Sequence, residues 1–295
     1  MFGLYLGNYL VEKGRISQAQ FNDLMLQQKK TRVKLGLIAV KQKLLTLQQA
    51  EEINDIQKKT DKRFGDIAIE KKYLLVDQVT HLLDMQGNPY LQFVQVMTEN
   101  NILSMEEIKV VVEEYRVDNH LTSSDISALK SGDIDRIIPV FVNLDVPITG
   151  ECISLMLRNV VRFISSSIEL KKAYIVREYS FGSLASQQMF GDHKLFVGLA
   201  SKGNELLTVA NAYATENYTE MNEDSFDSVC EFINCINGLY ASSLSQVNIH
   251  IDMAPPYFCT DKTITAKGDI CVVPVLINGE QVDLLVSVNS HVSIN

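Results

Sequence analysis

The chain has 295 residues, of which 46% are hydrophobic, 21% charged and 8% aromatic. These proportions exclude a wholly disordered or fibrous chain and provide enough apolar material for about two domains. The net charge of −9 arises entirely after Asp118, because the first 118 residues hold 16 basic and 16 acidic side chains, whereas the rest hold 11 and 20. An acidic second half argues against nucleic-acid binding and separates two modules.

No apolar run reaches the roughly 18–20 residues that a membrane-spanning helix needs, and the first residues lack the features of a signal peptide. We therefore expect a cytoplasmic protein without membrane insertion. The five cysteines include no CxxC pair and indicate reduced thiols, and Cys230 and Cys235 are expected to be small buried residues. The five histidines show no ligand spacing, so the sequence predicts no metal site and no cofactor of its own.

Residues 1–118 contain four copies of a 29-residue pattern, which begin at Tyr5, Lys34, Arg63 and Gln92. Each copy predicts two short helices joined by a turn. The features that recur are an apolar residue followed by Gly (Leu6-Gly7, Leu35-Gly36, Phe64-Gly65), a turn residue (Gly14, Lys43, Lys72, Asn101), a capping box (Ser17-x-x-Gln20, Thr46-x-x-Gln49, Ser104-x-x-Glu107) and a final Gln (Gln28, Gln57, Gln86).

This repeated pattern resembles the N-terminal domain of type II secretion and pilus ATPases over residues 1–118. Some members of that family bind cyclic di-GMP through tandem copies. The family's leading Arg is kept only at Arg63 and its turn Gly only at Gly14. The resemblance implies that Arg63 stacks on a guanine base while backbone N–H groups near glycines bind the phosphates. The alternative is a helical docking or oligomerisation module.

The connecting segment, residues 119–149, predicts a linker with two short helices. The first is expected to be capped at Ser123 or Ser124, and the second to end before Pro139. Pro147 marks the end of the linker. The chain as a whole is therefore predicted to be α+β, with an all-helical repeat module ahead of an α/β sandwich domain.

Residues 150–295 form this second domain. Asn278-Gly279 predicts a type I′ hairpin, and Pro274 indicates an edge or bulged strand in it. An exposed hairpin edge would allow a homodimer to form by strand addition. The predicted elements are a helix over 151–170, strands over 173–179 and 193–200, helices over 204–214 and 225–245, and strands over 271–277 and 281–288.

The helix over 225–245 has two unlike faces. Asp227, Glu231 and Asn234 share one of them, with the small Gly238 beside it. Like charges four residues apart, and Asn and Gly within a helix, reduce helix stability. Such a face permits close approach by another molecule; the alternative is a merely solvated face. The opposite arc is expected to be buried against the sheet: Phe226, Val229, Cys230, Ile233, Ile236, Tyr240 and Leu244.

The spacing Asp227-x3-Glu231-x2-Asn234-x21-Pro256 is similar to the signature of the chemotaxis phosphatases CheC and CheX. The α+β order over residues 150–290 is similar too. The earlier helix has no Glu-x-x-Asn, so the single-site CheX type is the nearer match.

This resemblance implies a substrate, the phosphoaspartate of a CheY-like response regulator, which brings its own Mg²⁺. It further implies that Asn234 orients the attacking water, Glu231 pairs with the regulator's active-site Lys, and Asp227 begins the binding face. Gly238 would leave room for the regulator, and Pro256 would shape the adjoining loop. Because an acyl phosphate is already activated, its hydrolysis needs mainly positioning and charge neutralisation.

Three functions are consistent with these patterns. The first is a phosphatase that acts on a phosphorylated response regulator. The second is an adaptor that binds a regulator or the flagellar motor without hydrolysis. The third is a cyclic di-GMP effector whose output is binding alone.

Overall fold

The computed structural model of the protein describes residues 1–31, 33–60, 62–142 and 147–295. It divides into two compact units, Met1–Gly132 and Asp133–Asn295, and the division falls inside the predicted linker. Residues 143–146 of that linker lie outside the described residues. Among the helices described, none is long and apolar enough to cross a membrane.

The first unit is helical throughout its described length. The second helices of the four successive pairs begin at Gln18, Leu47, Val76 and Met105, so 29 residues separate each from the next. The helices are α1 (Phe2–Glu12), α2 (Gln18–Lys30), α3 (Leu35–Lys41), α4 (Leu47–Lys59), α5 (Phe64–Glu70), α6 (Val76–Asp84), α7 (Pro89–Glu99), α8 (Met105–Asp118) and α9 (Ser123–Ser131).

Local sequence signals account for where these helices begin and end. The predicted capping boxes at Ser17, Thr46 and Ser104 are confirmed, because each side chain accepts a hydrogen bond from the backbone N–H three residues later. The predicted turn after the first helix of each pair is present, and one residue in each turn is left-handed. These residues are Gly14, Lys43, Lys72 and Asn101, with φ of 67°, 57°, 57° and 52°.

The recurring glycines allow the two helices of a pair to approach closely. A Cβ at Gly7 would lie 2.0 Å from the ring carbon Cε2 of Phe21, far inside van der Waals contact. At Gly65 the corresponding distance, to Val79, is 2.7 Å, so the second helix would have to shift there as well. The glycine therefore meets the residue 14 positions later in each of three pairs: Gly7 with Phe21, Gly36 with Ala50, and Gly65 with Val79.

Gly7→Ala is expected to destabilise the helical unit by about 1–3 kcal/mol, because overpacking against Phe21 exceeds the gain of up to about 1 kcal/mol in helix propensity. Urea unfolding followed by circular dichroism at 222 nm measures the change. Gly36→Ala is the matched control, since its Cβ would lie 3.6 Å from Ala50 and 3.0 Å from a movable ring edge of Phe64. Equal stability of Gly7→Ala and wild type would contradict this packing.

The connecting segment corrects two sequence predictions. Thr122, rather than Ser123 or Ser124, caps α9: its hydroxyl accepts from the Asp125 N–H at 3.1 Å, while the Asp125 carboxylate accepts from the Thr122 N–H at 2.8 Å. The next helix, α10 (Ile134–Phe141), contains Pro139 instead of ending before it. Burial of its apolar side chains, including Ile137 and Ile138, offsets the hydrogen bond that proline removes.

The second unit begins its sheet earlier than predicted. Helix α11 (Pro147–Asn159) continues as a π-helical turn over 160–164 and then ends. Ile168 lies in a strand, where it pairs with Ile277, so the prediction of a helix up to residue 170 is wrong at its C-terminal end. Ile168 has helical spacing from Ile164, but three consecutive serines break the helix between them, and the Ser165 hydroxyl accepts from the Ser167 N–H at 3.0 Å.

The sheet of the second unit has the strand order β1-β5-β6-β3-β2-β4, and β7 pairs with β5. Strand β5 also pairs with β2, so β2, β3, β6 and β5 form a closed circuit around part of the core. Helix α12 (Leu207–Ala214) packs on α13 (Glu223–Ser245), which in turn packs on β2. The strands are β1 (Ile168–Leu170), β2 (Tyr174–Gly191), β3 (Leu195–Ser201), β4 (Ile251–Met253), β5 (Tyr257–Ile277), β6 (Glu280–Val288) and β7 (Val292–Ile294).

The hairpin between β5 and β6 turns as predicted, because Asn278 and Gly279 have φ of 53° and 94°, as a type I′ turn requires. Pro274, however, lies in neither an edge nor a bulge. It pairs with Asp283 on one side, and on the other its carbonyl accepts from the Lys171 N–H where β1 gives way to β2. Proline has no N–H, and none is needed here, because Pro274 lies where the pairing of β5 passes from β1 to β2. Both hairpin strands are interior, so the predicted exposed edge is wrong.

Candidate functional site

The site is built on α13, whose buried side fixes the direction of its outer face. All seven residues predicted for the buried arc are buried, which confirms the helical assignment. Near the start of the helix, Phe226 stacks on Phe258 of β5, with ring centroids 4.6 Å apart and an interplanar angle of 8°. The helix begins where the Asn222 side chain accepts from the Ser225 N–H at 3.0 Å.

The predicted site residues Asp227, Glu231 and Asn234 are all exposed on the outer face. Glu231 and Asn234 are three residues apart and thus lie on adjacent turns of one face. Asp227 lies one turn before Glu231 and beside Cys230. Burial and, secondarily, Asp227 raise the pKa of the Cys230 thiol to about 11, so Cys230 is a protonated packing residue near neutral pH.

The amide of Asn234 is fixed in one orientation by Gln187 of β2. Gln187 Nε2 donates one hydrogen bond to Asn234 Oδ1 at 2.7 Å and another to the backbone carbonyl of Ala254 at 2.7 Å. Because a carbonyl can only accept, the Gln187 atom that faces Ala254 must be the nitrogen, and the Asn234 atom that faces this nitrogen must be the oxygen. Among the residues that the structure describes, none accepts a hydrogen bond from Asn234 Nδ2.

A second buried amide fixes Gln187 itself. Asn237 lies one turn beyond Asn234 on α13 and donates from Nδ2 to Gln187 Oε1 at 2.8 Å. Gln187 thus makes three side-chain hydrogen bonds and is 2% exposed, while Asn237 is 0% exposed. The sequence did not point to Gln187, Asn237 or Ala254 as parts of the site.

The loop that carries Pro256 lies beside this network. It joins β4 to β5 over residues 254–256, and Ala254 also donates its N–H to the Gln188 carbonyl of β2 at 2.9 Å. The loop is therefore fixed to β2, two residues before Pro256. Gly238 is half-buried, and a Cβ there would lie 3.8 Å from Met253 Cε, which is an ordinary contact.

Tyr213, near the C-terminal end of α12, lies close to Glu231 and Cys235 and was not predicted from the sequence. Burial raises the pKa of Tyr213, and the neighbouring Cys235 and Glu231 raise it further, so the phenol stays protonated beside the Glu231 carboxylate. Its ring centroid lies 5.2 Å from that of Phe232. Cys235 is exposed, which corrects the expectation that it is buried.

The groups presented on this face define what it can do. An oriented carboxamide can hold a water molecule or a phosphoryl oxygen, and a carboxylate can pair with an ammonium group. Within the described ranges, no group of three or more His, Cys, Asp or Glu side chains could hold a metal ion. The chemistry that fits is positioning and charge pairing on another molecule.

The first unit holds a separate cavity of about 760 Å³. Lys34 and Arg63, which immediately precede α3 and α5, line it together with Gly36, Gly65 and Gln57. Two copies of the repeated pattern therefore contribute their leading basic residues to one cavity. The Lys34 ammonium also pairs with Glu99 at 2.6 Å.

Part of the second unit is similar to a known protein family. Residues 183–278 match the model of the family described as chemotaxis phosphatase CheX. No curated protein matches the chain. The matching segment includes β2 from Ser183, the whole of α13 and the whole of β5.

Several solved structures are similar to about half of the chain. The CheX protein of Desulfovibrio desulfuricans is 15% identical, with 48% of this chain and 99% of that chain covered and a TM-score of 0.43. A CheC-like superfamily protein of Shewanella sp. PV-4 is 17% identical, with 49% of this chain and 99% of that chain covered and a TM-score of 0.44. The complex of CheX with CheY, BeF3 and Mg²⁺ from Borrelia burgdorferi is 15% identical, with 51% of this chain and 99% of that chain covered and a TM-score of 0.39. The segment matched by the family model includes Glu231, Asn234 and Pro256.

Proposed function

We propose that the second unit accelerates hydrolysis of the phosphoaspartate on a CheY-like response regulator. The observation that carries this proposal is the exposed, oriented amide of Asn234 next to the Glu231 carboxylate on α13. The description of the matching family as chemotaxis phosphatases supports the class of reaction.

In the proposed reaction, a water oxygen bonds to phosphorus as the bond between phosphorus and the aspartate carboxylate oxygen breaks. The carboxylate leaves with the bonding electron pair, and the water's protons pass to the released phosphate and to solvent. The regulator supplies Mg²⁺ and the acyl phosphate. Asn234 holds the water in line, which is mainly a positioning effect. A neutral amide does not repel the negatively charged phosphoryl group, whereas a carboxylate would.

Glu231 is proposed to pair with the regulator's active-site Lys, and Asp227 to extend the acidic binding surface by one turn. Gly238 leaves space beside the amide, and Pro256 shapes the loop at its edge. Each of these roles places this chain's side chains at the rim of the regulator's own site. No nucleophile of this chain is needed.

Phosphate loss from a phosphorylated CheY-like receiver with Mg²⁺ tests the proposal. At one protein molecule per about 20 receivers, a phosphatase converts all of them faster than their spontaneous decay, because each molecule turns over repeatedly. An adaptor that only binds leaves the decay rate unchanged or slows it. The second outcome would replace the phosphatase by the adaptor function.

Gly238→Ala separates the needs of the helix from those of the regulator. The variant is expected to raise the free energy of unfolding by about 0.5–1 kcal/mol, since Ala is the better helix former and its Cβ meets nothing closer than 3.8 Å. Its kcat/KM is expected to fall about tenfold, which corresponds to a steric penalty of about 1.4 kcal/mol at the regulator.

Gly150→Ala in α11 is the matched control for that experiment, because a Cβ at Gly150 has no neighbour within 4 Å and the residue is not on α13. It should give a similar gain in stability with unchanged kcat/KM. A Gly238→Ala protein with full activity would show that the regulator does not approach this part of the helix.

As a second function, we propose that the first unit binds cyclic di-GMP in the cavity lined by Lys34 and Arg63. The Arg63 guanidinium can pair with a phosphate and stack on a guanine base. Lys34 supplies a second positive charge, which also pairs with Glu99, and Asp66 lies in the same lining. Calorimetry with cyclic di-GMP tests this: wild type should bind, and Arg63→Ala should not. Absence of heat with wild type at high micromolar ligand would reject it and favour a docking or oligomerisation role.

A further inference from the structure

Gln187 occupies a position where a strand normally carries an apolar residue. It lies on β2 opposite Val197 of β3, and its neighbours on the same face of the strand, Ala185 and Met189, are buried and apolar. Its side chain nevertheless makes three hydrogen bonds with α13 and with the loop after β4. The Gln187 amide therefore places polar groups in the packed interface between β2 and α13.

This polar network reduces stability compared with an apolar one. Asn237 Oδ1 is buried and has no hydrogen-bond partner among the described residues. Leaving a buried acceptor unsatisfied costs about 1–3 kcal/mol. Apolar side chains of similar volume at the positions of Gln187 and Asn237 would avoid that cost, so packing alone does not explain the two amides.

The network instead determines which way Asn234 points. A free carboxamide can rotate by 180° and exchange its oxygen and nitrogen, because the two ends are nearly equal in size. Gln187 presents only N–H groups toward Asn234 and Ala254, since both hydrogens of Nε2 are used. Asn234 therefore turns its oxygen inward, and its N–H₂ and the second lone pair of Oδ1 remain available on the outer face.

We propose that Gln187 is a positioning residue that selects this orientation of Asn234, and that Asn237 holds Gln187 in the required rotamer. The consequence for catalysis rests on the proposed phosphatase function. In the selected orientation, Asn234 Oδ1 accepts from the attacking water while Nδ2 donates to an oxygen of the regulator. In the flipped orientation, Nδ2 would face Gln187 Nε2, donor against donor.

Gln187→Met tests the proposal, because Met has a similar volume but donates no hydrogen bond. We expect kcat to fall about 10- to 100-fold with little change in KM, since a misplaced group loses mainly transition-state interactions. Gln188→Met is the matched control: it makes the same change one residue later, at an exposed side chain. It should leave kcat unchanged. Gln187→Leu serves as a second variant should Met fail to pack.

A double-mutant cycle separates positioning from general damage. In the Asn234→Ala background, Gln187→Met should cause no further loss of kcat, because it acts through the amide that is already absent. Equal fractional losses in both backgrounds would overturn the proposal.

NMR order parameters of the Asn234 side-chain N–H₂ group provide a readout that does not depend on activity. We expect a rigid amide in wild type and in Gln188→Met, and a mobile one in Gln187→Met. An equally rigid amide in Gln187→Met would overturn the positioning role. If wild type shows no turnover, the phosphatase function fails, and the NMR comparison alone decides the role of Gln187.

Discussion

Asn234→Ala is expected to lower kcat for regulator dephosphorylation about 100-fold, the size of effect that loss of a single positioning group produces. The variant removes the exposed amide but leaves the buried arc of α13 intact, so the fold should be preserved. Binding of the phosphorylated regulator should be nearly unchanged, because the amide is proposed to act on the water in the transition state. Single-turnover rates at saturating protein, together with a binding isotherm, measure the two effects separately.

Ser242→Ala provides a control for this substitution, because Ser242 is exposed two turns later on the same helix and its hydroxyl donates only to the Gly238 carbonyl of that helix. It should keep full activity. Equal rates for Asn234→Ala and wild type would contradict an enzymatic role for this face. Loss of binding in parallel with rate would instead make Asn234 a docking residue.

Glu231→Lys should weaken regulator binding at least tenfold, because it replaces the proposed ion pair with a repulsion between two ammonium groups. Loss of one member of an interfacial charge pair costs about 2–5 kcal/mol when the pair is desolvated, and less when it remains in water. The side chain is exposed in the free protein, so its removal is not expected to destabilise the fold. Fluorescence titration with the phosphorylated regulator, repeated at increasing salt, measures the effect.

Glu280→Lys supplies the matched control for charge, since Glu280 is an exposed acid at the start of β6 beside the hairpin turn. It changes the net charge equally but is not on α13. If both variants weaken binding to the same extent, the effect is one of overall charge, and a specific partner for Glu231 is contradicted. Glu231→Gln should fall between wild type and Glu231→Lys.

The sequence predicted α13 well because its signals are local. The 3.6-residue spacing of Phe226, Ile233 and Tyr240 placed the helix within two residues of its observed start, and the same periodicity defined its outer face. The motif spacing then predicted Glu231 and Asn234 as site residues without knowledge of the sheet. The capping boxes of the first unit were equally accessible, because each involves residues only three positions apart.

The support beneath Asn234 was not accessible in this way. The sequence predicted strands over 173–179 and 193–200, whereas β2 runs from Tyr174 to Gly191. Its second half is rich in Ser, Gly and Gln and is held as a strand by pairing with β3, which follows it directly, and with β4 and β5, which are distant in sequence. Gln187 and Gln188 are adjacent and alike, and only this pairing determines which of them is buried. The one signal in the sequence was the position of Gln187 between two apolar residues, Ala185 and Met189, that face the same side of the strand.

The most direct measurement is a crystal structure of this protein with a CheY-like receiver that carries Mg²⁺ and a beryllofluoride group in place of the phosphoryl group. We expect the outer face of α13 to cover the receiver's active site, with a water about 3 Å from Asn234 Oδ1 and in line with the bond to the aspartate oxygen. A receiver seated elsewhere on the second unit, with Asn234 and Glu231 still facing solvent, would contradict it.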